Sequence, residues 1–216
     1  LEENAIENLV QGFNCDDVVM SYGPVSFVDK NGVPKASPNF YPPQIESGME
    51  FISNVLRSQR AAFPSATLYR TKDALDVGGY PDVGTATDFA MIVKIAITKL
   101  ISYHPFPVTK YMSHSESLSF SKEAISSQAI LIKTFQEENT LPKLQYDLLV
   151  KYGSTIIYKA LRHHALRGNN SDARFALSVL LQINANKNWK LRFAFFSAAP
   201  VRWCARIRLA LMHLFV

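Results

Sequence analysis

The residues whose types and order could do chemistry form one group between residues 66 and 119 of the sequence. The glycine pair Gly78-Gly79 is followed by Thr87-Asp88, and His114 lies in a serine-rich segment further along. Carboxylates and imidazoles accept protons and bind metals, and glycine lets a backbone approach a ligand closely because it has no Cβ. The sequence contains no nucleophile elbow, phosphate-binding loop, zinc-spaced Cys/His cluster or dinucleotide fingerprint.

Each of these features also has an ordinary structural explanation. Asp88 falls in the first turn of a predicted helix, where an acid interacts favourably with the helix dipole. Gly78-Gly79 is a typical helix stop, and His114 at a strand end is equally compatible with a plain surface position. Two other pairs are weaker candidates. His163-His164 point to different faces of a predicted helix and are expected to be solvated, and Asp16-Asp17 is expected to form a turn.

The order of the segments resembles the acceptor-side half of family-2 inverting glycosyltransferases of the GT-A fold. That family has a Val-Gly-Gly-Phe/Tyr turn, an Asp that begins a helix with Ile/Leu-Ala downstream, and a Tyr-x-x-His strand followed by small residues. An Asp-x-x-Gly hairpin comes earlier in the chains of that family. The resemblance covers roughly residues 1–120 of this sequence. The matching pieces here are Asp29-Lys30-Asn31-Gly32, Val77-Gly78-Gly79-Tyr80, Thr87-Asp88, Ile95-Ala96, and Tyr111-Met112-Ser113-His114 with Ser117-Leu118-Ser119.

The resemblance implies a role for each of these residues. Asp88 would be the catalytic base that deprotonates the acceptor hydroxyl, and one carboxylate suffices because a nucleoside diphosphate is the leaving group. Gly78, Gly79 and Thr87 would contact substrate, with Thr87 standing where the family often has Glu. His114 would lie near the diphosphate, as a ligand of the divalent cation (Mg or Mn) that the complete enzyme uses, or as a hydrogen-bond donor.

The same resemblance implies a nucleotide-binding half with an Asp-x-Asp metal motif, and no segment of this sequence matches it. The first residue is Leu1 rather than Met, so we expect a fragment. We expect the isolated chain to be inactive, because the donor site and the metal motif are absent from it. The complete enzyme would transfer a sugar, with inversion, from a nucleotide-diphosphate sugar to a hydroxyl of a sugar or lipid-linked acceptor. Synthesis of a cell-surface polysaccharide or glycolipid is the expected setting.

Apolar periodicity predicts an α+β part over residues 1–120 and an all-helical extension over 121–216. The resemblance implies that the α+β part is a partial α/β, GT-A-like second half. Thr85 or Thr87 is expected to cap the helix that contains Asp88. Lys30-Asn31-Gly32 is expected to form a hairpin-type turn. Helices are predicted at residues 1–13, 45–56, 72–77, 85–101, 121–138, 142–166 and 171–185, and strands at 18–22, 25–29, 66–69 and 108–112.

The net charge of +5 arises at the C-terminal end of the chain, because residues 171–216 contain seven basic residues and one acid. The stretch 189–216 mixes Arg and Lys with large apolar residues, which is typical of an interfacial amphipathic helix. Packing of that helix on the domain is the alternative. The neutral main body argues against nucleic acid, and the two separate cysteines argue against a disulfide framework.

These features predict a cytoplasmic protein with peripheral contact at the inner face of the membrane, since no apolar run is long enough to span a bilayer. One function of a different class remains open. The chain would then be a non-catalytic helical interaction or membrane-adaptor protein whose α+β part is a scaffold.

Overall fold

The computed structural model describes residues 1–29, 31–35, 42–97, 99–112 and 120–183. They form a mixed α+β structure with a small mixed sheet and a mostly helical C-terminal part. The strands are β1 (Val18–Tyr22), β2 (Val25–Val28), β3 (Ile45–Ser47), β4 (Thr67–Tyr69), β5 (Leu100–Tyr103) and β6 (Thr109–Met112). The helices are α1 (Ala5–Val10), α2 (Gly48–Leu56), α3 (Thr71–Asp76), α4 (Thr87–Ala96), α5 (Lys122–Glu138), α6 (Lys143–Arg167) and α7 (Asn170–Ile183).

The main sheet has the strand order β3-β5-β1-β4. Its central strands β1 and β5 are parallel, and the outer strands β3 and β4 run antiparallel to their neighbours. Every residue of β1 is buried, as expected for a central strand that is covered on both faces. Strands β2 and β6 form a separate parallel pair.

The helix expected over residues 85–101 is too long, because α4 ends at Ala96 and the parallel strand β5 begins at Leu100. Apolar spacing alone does not separate a buried helix from a buried strand in this region. Pairing with β1 decides in favour of a strand, since Ile101 lies beside Met20 in the sheet and is fully buried. The expected cap is also wrong: Ala86 holds the N-cap position and no side chain caps α4.

The helix expected over residues 45–56 is likewise shortened, because its first three residues form β3. Ser47 then caps α2: its Oγ accepts from the Glu50 amide at 3.3 Å and donates to the Glu50 carboxylate at 3.0 Å. Ser47 is thus the N-cap, and its bond to the Glu50 amide explains where α2 begins. Gly48 follows at a close approach to α4, where a Cβ would overlap the carbonyl oxygen of Ala96.

The helices predicted after residue 120 are confirmed to within a few residues for α5, α6 and α7. Ser121 caps α5 by accepting from the Ala124 amide at 3.1 Å, and Gly168 ends α6 with a φ of 76°. The main hydrophobic core includes Ile101 of the sheet, Phe135 of α5 and Leu149 of α6, so these helices share one core with the sheet. The basic stretch 189–216 lies outside the described residues.

Candidate functional site

Asp88 is exposed in the first turn of α4. Helix α4 ends at Ala96 and β5 begins at Leu100, and such a short connection makes the helix run back along the strand. The helix rises about 15 Å and the strand about 13 Å. We infer that Asp88 lies level with Tyr22 and Tyr103, the carboxyl ends of β1 and β5. Ligands of open α/β sheets bind beyond this edge.

Gly78 and Gly79 close helix α3 with φ values of 86° and 70°. Their amides donate to the carbonyls of Leu75 and Ala74, each at 2.9 Å, and so satisfy the end of the helix. A Cβ built at either glycine would meet no atom within 4 Å. The left-handed backbone therefore requires glycine here, and the space beside both residues is open.

Thr87 fastens the turn that leads into α4. Its hydroxyl donates to the carbonyl of Gly84 at 2.7 Å and lies 3.0 Å from the carbonyl of Pro81. Helix α5 supports the same turn, because Ser127 Oγ accepts from the Thr85 amide at 2.9 Å. Thr87 thus holds the backbone directly before Asp88 in place rather than capping the helix.

Tyr69 adds a hydroxyl that the sequence did not indicate. Its oxygen is buried and has no hydrogen-bond partner among the described residues. Burial raises the pKa of this phenol strongly, and the charges of Tyr80 and Asp88 raise it further. An aromatic residue in a short strand predicts a core position, so only the folded chain brings Tyr69 near Asp88 and the exposed ring of Tyr80.

His114, the expected metal ligand, lies outside the described residues. Within residues 1–29, 31–35, 42–97, 99–112 and 120–183 no group of three or more His, Cys, Asp or Glu side chains could hold a metal ion. The expected Mg or Mn site is therefore not formed by these residues alone. Asp16-Asp17 forms a turn before β1, as predicted, and Asp16 lies 3.9 Å from Arg70.

The expected solvated position is wrong for His164, which is buried on α6. Its Nε2 is 2.7 Å from the carbonyl oxygen of Phe120, and the ring of His163 stacks on Phe120 at 4.4 Å between centroids. Adjacent residues do point in different directions, but α6 is packed against α5 and α7, so one of the two directions leads inward.

A buried acid lies near the carboxyl end of β1. Glu46 accepts from the Tyr22 hydroxyl at 3.2 Å, and its carboxylate is 3.7 Å from Arg60 Nε. Burial raises the pKa of Glu46 above its ordinary value, and the positive charge of Arg60 opposes that rise. Burial also raises the pKa of Tyr22. These residues are far apart in the sequence, which offers no spacing signal for the cluster.

A surface groove of about 690 Å³ lies at the amino ends of the parallel strands β1 and β5. Arg70 spans one side of it, donating to the carbonyls of Val18 and Cys15 at 2.7 and 2.9 Å. Val18 and Lys99 mark the amino ends of β1 and β5, so the groove is at the other end of the strands from Asp88. Its apolar side is formed by Val10, Phe13 and Leu68.

Comparison of the chain with protein-family models, with curated proteins and with solved structures found no match. None of the helices in the described part of the chain has both the length and the apolar character required to cross a membrane.

Proposed function

We propose that this chain is the acceptor-side portion of a family-2 inverting glycosyltransferase of the GT-A type. One observation carries the proposal. The Asp88 carboxylate is exposed in the first turn of α4, and the Gly78-Gly79 turn earlier in the chain has open space beside it. The position at the carboxyl edge of the parallel strands is the one at which α/β sheets bind ligands.

The proposed reaction uses Asp88 as the general base. Its carboxylate takes the proton of the acceptor hydroxyl as that oxygen attacks the anomeric carbon of the donor sugar. The new C–O bond forms on one face of the sugar while the bond to the diphosphate breaks on the other, with its electron pair leaving on the diphosphate. Neutralising that diphosphate is assigned to the nucleotide-binding half, because the resemblance places the Asp-x-Asp metal motif there.

Two neighbours of Asp88 are assigned supporting roles. Gly78 and Gly79 have free space beside their backbone, which supports close approach of a substrate. Thr87 fixes the turn through the carbonyls of Gly84 and Pro81, so its hydroxyl holds the start of α4 in position. We assign His114 to the diphosphate region on the resemblance alone.

The test uses a longer protein that contains this sequence together with the nucleotide-binding half. Transfer is measured as nucleoside diphosphate release from a panel of UDP-, GDP- and dTDP-sugars with sugar and lipid-linked acceptors. Asp88→Asn should lower turnover by at least about 100-fold, the size of a general-base contribution. Asp82→Asn, at an exposed acid in the preceding loop, is the matched control and should turn over normally.

Unchanged turnover in Asp88→Asn would remove the base assignment. The 216-residue chain alone should release no nucleoside diphosphate from any donor, because the proposal assigns donor binding to the other half. Sugar transfer by the isolated chain would contradict the assignment of donor binding to the other half. The role of Asp88 would then be tested in the isolated chain.

A further inference from the structure

The segment that follows β2 presents an asparagine and a glycine in succession at the surface. Asn31 is the only asparagine of the sequence that a glycine follows. Both residues are exposed, and a Cβ built on Gly32 would meet no atom within 4 Å. The backbone amide of Asn31 donates to the Asp29 carboxylate, whereas its side-chain amide forms no hydrogen bond with the described residues.

This arrangement leaves the side-chain amide of Asn31 free to react with the backbone of the next residue. The two atoms that would join are Cγ of Asn31 and the nitrogen of Gly32, and their bond closes a five-membered ring. Glycine has no Cβ to crowd this closure and rotates freely about its backbone bonds. Gly32 already uses that freedom, because its φ is 79°.

We propose that Asn31 is a site of spontaneous deamidation, at which the chain takes up water and loses ammonia. The Gly32 nitrogen gives up its proton and bonds to Cγ of Asn31, and the bond from Cγ to the side-chain nitrogen breaks as ammonia leaves. Water then opens the resulting succinimide at either carbonyl. Opening at Cγ gives aspartate, and opening at the backbone carbonyl gives isoaspartate. The site is separate from Asp88 and does not depend on the proposed sugar transfer.

The turn itself limits the rate of this reaction. The Gly32 amide donates to the carbonyl of Asp29 at 3.0 Å, and this hydrogen bond must break before the nitrogen can attack. Local opening of an exposed turn requires little free energy. We therefore expect deamidation in the folded chain, and faster deamidation when urea unfolds the turn.

Conversion also changes the contacts of the turn. The Asp29 carboxylate accepts from the amides of Asn31 and Val33 at 2.8 and 2.9 Å. Isoaspartate adds one atom to the backbone between these two amides, and either product places a second carboxylate in the turn beside that of Asp29. The bridge between Val28 and Pro34, which closes the turn, should therefore weaken.

The test follows the 216-residue chain at neutral and mildly alkaline pH by digestion and mass spectrometry. The peptide that contains Asn31 should become about one mass unit heavier, because a carboxylate replaces the amide. In isotopically labelled water it should take up one labelled oxygen, and an isoaspartyl methyltransferase should methylate part of the product. The rate should rise about tenfold per pH unit, since a base must remove the Gly32 amide proton.

Asn139 is the matched internal control, because it is also exposed but precedes Thr140. The branched side chain of threonine crowds the attacking nitrogen, so conversion there should be at least about tenfold slower. Asn31→Gln keeps an amide but requires a larger ring, and its peptide should gain no mass while circular dichroism reports an unchanged fold. The proposal is overturned if Asn31 converts no faster than Asn139, if no labelled oxygen enters, or if the rate does not depend on pH.

Discussion

The imidazole Nε2 of His164 lies 2.7 Å from the carbonyl oxygen of Phe120 and so ties the middle helix of the C-terminal part to the start of α5. Its other ring nitrogen, Nδ1, is buried 3.8 Å from the Asp172 carboxylate at the start of α7. A neutral imidazole carries one N–H, and the carbonyl assigns that hydrogen to Nε2. Nδ1 then has no hydrogen to offer Asp172, so this side chain joins α6 to the segment that leads into α5 through Nε2 alone.

His164→Ala should therefore lower the free energy of unfolding by about 1–3 kcal/mol, because the Phe120 carbonyl loses its partner in a half-buried position. His163→Ala removes only a stacked ring and should cost less than about 1.5 kcal/mol. Urea unfolding of both variants measures the difference. Equal losses would mean that packing of the pair, and not the hydrogen bond, holds this junction.

Glu46 should give stability a distinctive pH dependence. Burial raises its pKa in the folded state above the ordinary value of 4.5. The folded protein therefore holds this proton more tightly than the unfolded chain does, so the contribution of Glu46 is full below the unfolded pKa. It is lost as pH rises through the raised folded pKa.

Urea unfolding between about pH 4 and pH 8 measures this effect. The free energy of unfolding of the original chain should fall relative to Glu46→Gln as pH increases, because glutamine cannot ionise. Glu137→Gln, at an exposed acid on α5, should follow the original chain throughout. A difference between Glu46→Gln and the original chain that is constant with pH would contradict the expectation.

Two glycines should respond differently to alanine, because different constraints act on them. Gly48→Ala places a methyl group against the carbonyl oxygen of Ala96 and should cost about 3 kcal/mol by forcing α2 and α4 apart. Gly78→Ala meets open space but must adopt a φ of 86°, which should cost about 1 kcal/mol. Thermal unfolding of both variants gives the ranking, and a reversed order would contradict the close helix contact.

The basic stretch 189–216 remains a proposed membrane contact. The chain should float with vesicles that contain phosphatidylserine and lose this binding at high salt. Substituting Gln for Arg202, Arg206 and Arg208 should weaken it about 100-fold, since each basic residue near an anionic surface contributes about 1 kcal/mol. The same change at Lys133, Lys151 and Arg162, exposed on α5 and α6, should have little effect. No flotation of the original chain would favour packing of the stretch on the domain.

Local patterns in the sequence account for much of the fold. Strand β1 and helices α5 to α7 are predicted nearly to their ends, because a buried β-branched run and long amphipathic repeats each fit one structure. The strands β3 and β5 are not predicted, because their apolar residues also fit a helix. Only hydrogen bonding to a neighbouring strand in the folded chain distinguishes the two structures. The stop at Gly78-Gly79 is confirmed because it depends only on backbone geometry close in the chain.

The candidate site is only partly predictable from local patterns in the sequence. Asp88 is correctly expected in the first turn of a helix, because helix starts have a local signature. The neighbouring hydroxyl of Tyr69 is not expected, and neither is the pairing of Glu46 with Arg60. Those contacts arise from tertiary packing, which no spacing in the sequence encodes.

The contact between Ser127 and the turn before Asp88 has a consequence for how such proteins can be recombined. Gly84 has a φ of 64°, and a Cβ there would overlap Ser127 Oγ, which also binds the Thr85 amide. A chimera that exchanges the helical part for that of another protein must bring a hydroxyl of the same size to this point. Without it the loop leading to Asp88 loses its support, so the helical part and this loop can only be exchanged as one module.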